Sequence, residues 1–272
     1  MVNNELDWYD PSDQSQPIIS PQAEIEGYVQ KHNKDADFHL NPCFLISTTG
    51  RGDIVELQDI YPVNEESYML PAFLGRRPIY TIDGTPAISA VQKVLTSPVA
   101  ADSLEVAIAL GAREIFLFGL CGAIADDLEV GDIIIPLEIK RLEGTSYHYM
   151  PASQHAQPDK TLTKALRTFL SQQNVDFHTG KTVTTDAVYR QTLNKELSWR
   201  DEGILGVDME MSALLTVASF YSLPAVCMLV VSDKHNLEPG GKWHWGGQNL
   251  VAKQANALNL LVDFIKKQHS KI

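Results

Sequence analysis

Three carboxylates carry the chemistry that this sequence offers most plainly. In Gly206-Val207-Asp208-Met209-Glu210-Met211-Ser212-Ala213, Asp208 and Glu210 stand two residues apart at the start of an apparent helix, and Asp233 follows the next apolar strand in Val230-Val231-Ser232-Asp233. Such a group suits a polyhydroxylated ligand whose leaving group needs a proton. One carboxylate accepts hydrogen bonds from hydroxyls beside a carbon that gains positive charge, and another supplies the proton. The plainer alternative is that Asp208 and Glu210 favour a helix amino terminus, worth about 0.3–1 kcal/mol each through the helix dipole. Ser232-Asp233 is likewise an ordinary cap or turn signal.

The elements that must position these residues follow from apolar periodicity. Strand-length apolar runs recur at 43–47, 78–82, 114–118, 132–136, 181–183 and 225–231. Amphipathic patterns predict helices over 86–95, 99–110, 160–172, 209–221 and 248–267. Short, almost uniformly apolar strands alternating with helices indicate an α/β fold, a single-domain three-layer α/β/α arrangement around a central, mostly parallel mixed sheet. In a parallel βαβ unit a helix begins at the edge where the preceding strand ends, and the next strand finishes there, so Glu210 and Asp233 are expected on one rim. The segment Gly119-Leu120-Cys121-Gly122-Ala123 after the strand ending at Phe118 joins that rim, its glycines letting the backbone approach a ligand. Residues 1–36, rich in Asp, Gln, Ser, Pro and Asn, read as an extended or loosely ordered amino-terminal arm, and 37–272 as the catalytic domain.

Composition narrows the class. A chain of 272 residues that is 44% hydrophobic builds a sizeable core, and a formal net charge of -12 disfavours nucleic acid or an anionic membrane as partner. Cys43, Cys121 and Cys227 form no CxxC pair, and the histidines show neither HxxxH nor His-x-His, so no metal site is expected. The amino terminus lacks the regions of a signal peptide and no apolar run is long enough to span a bilayer, which points to a reducing cytoplasm. There is no GxGxxG and no GxxxxGK[ST], which disfavours dinucleotide or P-loop chemistry.

In order and spacing, several motifs together resemble the nucleoside phosphorylase family, which includes hexameric purine nucleoside phosphorylase, uridine phosphorylase and the methylthioadenosine nucleosidases. The strongest are Phe118 to Ile124 with Val130 to Pro136, and Gly206 to Ser212 with Val231-Ser232-Asp233. Weaker echoes are Glu143 to Tyr149, Thr184 to Tyr189 and Asp37 to Leu40. The resemblance implies that Met209 packs on a ribose, Glu210 accepts from its 2′- and 3′-hydroxyls, and Asp233 faces N7 of a purine as general acid. It places Val188, Tyr189, Asp208, Cys121 and Gly122 around the base. It also implies that His39 serves the ribose of a neighbouring subunit, making the protein a homo-oligomer, a dimer or trimer of dimers, with shared sites. The glycine-rich, aromatic stretch 240–247 reads as a loop closing over the site, touching another subunit, or simply lying on the surface.

The phosphate-binding pattern of that family is where the chain departs. Ser47-Thr48-Thr49-Gly50-Arg51-Gly52-Asp53 replaces the Gly-Asp-Pro-x-Arg loop, Leu117 stands at the usual arginine, Leu120 at the usual hydroxyl residue, and Glu65 or a neighbour near the partner's arginine. Gly50, Arg51 and Leu120 are the remaining candidates for holding phosphate, with Arg76, Arg77 and Arg190 as substitute cations. The leading expectation is a phosphorylase that yields free base and ribose 1-phosphate, with inorganic phosphate as co-substrate and no cofactor. The alternatives are a nucleosidase that uses water, activated by Asp53, Glu65 or Glu143, or a catalytically idle nucleoside-binding protein.

Overall fold

The computed structural model describes residues 8–13, 15–50, 54–238, 241, 243–247 and 249–269. The strands are β1 (Cys43–Ser47), β2 (Val63–Leu70), β3 (Arg77–Ile82), β4 (Ile88–Val91), β5 (Glu114–Ala123), β6 (Ile133–Leu142), β7 (His178–Thr185), β8 (Ile204–Asp208), β9 (Ala225–Lys234) and β10 (His244–Trp245). The helices are α1 (Pro21–His32), α2 (Ser97–Ala109), α3 (Lys160–Gln172), α4 (Leu193–Asp201), α5 (Met211–Phe220) and α6 (Leu250–His269).

The strands form one mixed sheet in the order β10-β9-β6-β7-β8-β5-β1-β4-β3-β2, and β9 also pairs with β5. That extra pairing closes β5, β8, β7, β6 and β9 into a ring, from which β1, β4, β3 and β2 extend as an open sheet. Strand alternation divides the core into two layers. Phe44, Ile46, Ile115, Leu117, Leu229 and Val231 point to one face, under Leu104 of α2 and Leu214 of α5. Leu45, Phe116, Phe118, Met228 and Val230 point to the other, under Leu166 of α3 and Phe264 of α6. The period of two along each strand is what serves both layers from one run of sequence. The expected α/β fold, a mixed central sheet flanked by helices, is therefore present. Among the described residues, no helix is long and apolar enough to cross a membrane.

Three local expectations are corrected. The arm over residues 1–36 contains α1: Ser20 caps it by accepting from the Ala23 amide, Pro21 opens it, and Asn33 ends it in the left-handed region. Its Tyr28 is buried against Tyr68, and its hydroxyl accepts from the Met69 amide at 3.1 Å, so this part of the polar segment is anchored to the core. The helix expected over 86–95 is instead β4, whose Ile88-Ser89-Ala90-Val91 are all buried between β1 and β3, leaving no polar face for a helix. Asp208 does not open a helix; it ends β8, and α5 starts at Met211.

The rim also forms differently from a parallel βαβ unit, because β8 runs antiparallel to β5 while β9 runs parallel to it. Convergence survives because β8 pairs only with the last two residues of β5. Gly122 lies opposite Val207 on one side and Asp233 on the other, which brings the ends of three strands to one place.

Candidate active site

A cavity of about 1320 Å³ opens at that junction, and Asp208, Met209, Glu210 and Asp233 all line it. Glu210 is set by two backbone devices. Thr96, at the start of α2, adopts φ 76° and donates its amide to Glu210 Oε1 at 2.7 Å, while Ser97 Oγ donates to the Met209 carbonyl at 2.8 Å. These bonds tie α2 to the 209–210 turn, with the Glu210 carboxyl facing the Thr48 hydroxyl at the cavity wall. Burial pushes the Glu210 carboxyl up to about 8, the Asp208 charge adds to this, and the Thr96 amide opposes it.

Asp208 has a different task. Its Oδ1 accepts from Thr184 Oγ1 at 2.9 Å and from the Glu210 and Met211 amides at 2.9 and 2.7 Å, satisfying backbone donors where α5 begins. Its role is to hold the turn that aims Glu210. Its Oδ2 is buried without a hydrogen-bond partner among the described residues, and burial raises the carboxyl to about 6.

Asp233 sits in a network that sequence reasoning did not find. Its Oδ2 accepts from His235 Nε2 at 3.0 Å and from Trp243 Nε1 at 2.6 Å, and its Oδ1 from Ser232 Oγ at 2.5 Å. His235 Nδ1 lies 2.7 Å from Oε2 of Glu196, which is buried on α4. The expectation that burial keeps a proton on Asp233 is corrected. Burial does push its pKa up, but the donors His235, Ser232 and Trp243 outweigh it and hold the carboxyl below its ordinary value. The proton resides on His235: burial pulls that imidazole down, yet Asp233 and Glu196 together carry it up to about 9.

One sequence signal pointed this way. Asp233 and His235 are two residues apart at a strand end, the spacing that puts side chains on one face. Glu196 had no such signal, because α4 is almost wholly polar.

Glycine at 122 makes room for the network. A β-carbon there would lie 2.5 Å from His235 Nε2 and 3.1 Å from Asp233 Oδ2. The ring is clamped at both nitrogens and cannot yield freely, so Gly122→Ala is expected to destabilise the fold by about 1–3 kcal/mol through overpacking. A denaturant midpoint within error of the unsubstituted protein would contradict this.

The other expected residues divide. Cys121 and Gly122 line the cavity, as do Gly50 and Leu120. Val188 and Tyr189 form its outer wall on a short 3-10 turn, half and almost fully exposed. Arg51 and Asp53 lie outside the described residues. Leu117 is a fully buried core side chain. Arg76 stacks over Tyr28, and Arg76, Arg77 and Arg190 do not line this cavity.

Neither described candidate for water activation is brought to the site. Glu143 instead accepts from the Ser146 amide at 2.9 Å and from Ser212 Oγ at 2.7 Å, and Glu65 is exposed on β2. His39 is exposed near Gly111, before β5 begins, a strand's length from the cavity formed where β5 ends. From the 240–247 stretch, Gly241, Trp243, Trp245, Gly246 and Gly247 line the cavity, which places the described part of that loop over it.

Comparison with known proteins agrees with this geometry. A family model described as Phosphorylase superfamily matches residues 65–266, well over half of the chain. Among curated proteins, the chain is 31% identical over 185 residues to a uridine phosphorylase from Thermococcus kodakarensis, covering 63% of this chain and 66% of that protein. It is 30% identical over 129 residues to a DeoD-type purine nucleoside phosphorylase from Bacillus cytotoxicus, covering 45% of this chain and 53% of that protein. The matches thus take in just under two thirds and about half of these relatives' lengths. Among solved structures, an AMP nucleosidase from Bacteroides thetaiotaomicron superposes with a TM-score of 0.68 at 20% identity, over 93% of this chain and 100% of that one.

Proposed function

We propose, from the premise that this chain belongs to the phosphorylase superfamily, that it is a nucleosidase: it hydrolyses the N-glycosidic bond of a purine ribonucleoside to free base and ribose. The observation that carries the choice of water is the charge of the cavity wall. Glu196, Asp208, Glu210, Asp233 and Glu238 line it, and among the described lining residues His235 is the only cationic group. Glu210, raised to about 8, keeps its proton at neutral pH, and the His235 imidazolium offsets part of the charge on Asp233 and Glu196. That leaves Asp208 and Glu238 to repel a phosphate dianion, by about 4 kcal/mol per pair of unit charges at 4 Å and an effective dielectric of 20. Water meets no such barrier. This moves the preference from phosphate, the leading expectation from sequence, to its alternative.

The roles follow from position. The Glu210 carboxyl accepts from the ribose hydroxyls and stabilises the positive charge that grows on the sugar as the bond lengthens. Met209 packs on the ribose, and Asp208 holds the turn that aims Glu210 through the Glu210 and Met211 amides. Asp233 faces the base, and a base nitrogen that accepts a proton distinguishes a purine at this position. His39 is too far from its own cavity to serve it, so a ribose contact from this residue requires a homo-oligomer with shared sites.

The test is product identity. Purine nucleosides incubated with the protein in phosphate-free buffer should yield free base and free ribose, at a rate that added phosphate does not raise. Ribose 1-phosphate formed only with phosphate would overturn the proposal in favour of phosphorolysis. In that case Arg51→Ala should raise KM for phosphate, as loss of a charge-assisted anion contact requires.

A further inference from the structure

We propose that His235 is the proton-loading residue of this site: it holds the proton destined for the departing base, Glu196 keeps it charged, and Asp233 hands the proton on. The inference rests on the glycosidic cleavage proposed above, and it assigns to a histidine and a second carboxylate what the sequence pattern assigns to Asp233 alone.

Geometry carries it. Both ring nitrogens face carboxylates, Nδ1 towards Glu196 at 2.7 Å and Nε2 towards Asp233 at 3.0 Å. A neutral imidazole has one donor and one acceptor, so between two carboxylates one of these contacts would set lone pair against lone pair; with both acids ionised, only the cation satisfies both. Glu196 is 5% and Asp233 5% exposed, so neither charge is relieved by water and each needs its partner.

The groups facing the ring come from several elements. Glu196 belongs to α4 and Asp233 to β9, while the Cys121 thiol lies nearby on β5 and Glu238 lines the same cavity from the loop after β9. The neighbouring Lys234 is turned away, its Nζ donating to the Asp126 carbonyl at 3.0 Å and to Glu129 at 2.5 Å. No lysine or arginine among the described residues lining the cavity competes for Asp233. The absence of a side chain at Gly122 leaves the space in which the ring sits against β5.

The bond between the anomeric carbon and the base nitrogen breaks with its electron pair going to the base. The proton on His235 Nε2 passes to Asp233 Oδ2, and that oxygen then gives it to a ring nitrogen of the base. The oxygen of water bonds the anomeric carbon, and the proton it sheds restores the imidazolium through solvent. His235 acts through Asp233 and is therefore a positioning residue for the proton rather than a group that touches the substrate.

Two variants and two substrates test this. His235→Gln should lower kcat for a purine nucleoside by about 10²-fold or more, the usual scale of acid catalysis. It should lower kcat for 4-nitrophenyl riboside by no more than about threefold, because a nitrophenolate departs without a proton and loses only the acid catalysis it never used. Glu196→Gln keeps a hydrogen-bond acceptor but removes the charge. It should move the alkaline limb of kcat/KM to lower pH by about one unit or more, towards the ordinary histidine value near 6.5. An unmoved alkaline limb in Glu196→Gln, or equal losses on both substrates in His235→Gln, would overturn the assignment. If His235→Gln fails to fold, the Glu196→Gln profile still decides. Since the same base departs with either acceptor, ribose 1-phosphate as product would sink only the water proposal and leave this readout intact. Absence of turnover with both acceptors would overturn both proposals.

Discussion

Glu210→Gln is expected to lower kcat by about 10²–10³-fold, the scale for loss of one contact made to charge that develops in the transition state, and at the same time to stabilise the fold at alkaline pH. The variant keeps the shape and the acceptor that Thr96 uses, so the turn at 209–210 remains tied to α2. What it loses is the negative charge that the carboxyl carries beside the sugar once its proton has left, so the loss in kcat should be largest above about pH 8.

The stability change follows from the direction of the pKa shift. Glu210 is raised from 4.5 in the unfolded chain to about 8 in the folded one, so the folded state holds its proton more tightly. That favourable contribution is fully present below 4.5 and is lost as pH rises through 8, above which the fold carries a buried, ionised carboxylate beside Asp208. Glutamine is neutral throughout. Melting temperatures of the two proteins should therefore converge near pH 4.5, and the variant should melt higher at pH 9, by at least about 2 °C if 1 kcal/mol or more is relieved. A variant that melts lower at pH 9, or that retains activity within a few fold, would remove Glu210 from its proposed place. The combination is what a functional carboxylate strained by burial predicts.

The parts of this arrangement legible in sequence are those with a local signature. β5 and β9 are buried on both faces and so read as continuous apolar runs. α3 is legible to the residue because Asp159 caps it, accepting from the Leu162 amide, and because Leu162, Leu166 and Leu170 mark one face. β4 is not, because four consecutive apolar or small residues carry no period that separates strand from helix. α4 is not, because Asn194, Lys195, Glu196, Ser198, Arg200 and Asp201 leave it with little apolar face, and Trp199 with Leu197 packed beside it anchors it.

The site divides in the same way. Met209, Glu210 and Asp233 are legible as motifs, since each sits beside a strand or helix end that fixes its direction. The Glu196–His235 pair spans 39 residues and two elements, and no local spacing announces it. Asp208 shows the converse, a residue in the motif whose carboxylate is taken up by backbone amides. Its helix-terminus reading is the correct one, displaced by two residues because β8 continues to Asp208 itself.

Asp233→Asn is expected to have the larger effect on chemistry, a loss of about 10²–10⁴-fold in kcat for a purine nucleoside, with the fold intact. The side chain can be replaced without stranding its neighbours. If the amide oxygen takes the place of Oδ2, it still accepts from His235 and Trp243, and the amide nitrogen faces Ser232 Oγ. Ser232 has a single hydroxyl proton, which can turn to the Cys121 carbonyl at 3.2 Å, leaving a lone pair to accept from the new amide. The hydrogen bonds are conserved in number, but an amide cannot pass a proton from His235 to the base. It also withdraws one of the two charges that hold the imidazolium, so the alkaline limb of kcat/KM should move to lower pH together with the loss in rate. On 4-nitrophenyl riboside the same variant should lose at least tenfold less than on the purine nucleoside, because no proton is needed there. Equal losses on the two substrates, with an unchanged melting temperature, would mean that Asp233 holds the sugar or the loop through Trp243 and takes no part in protonating the base.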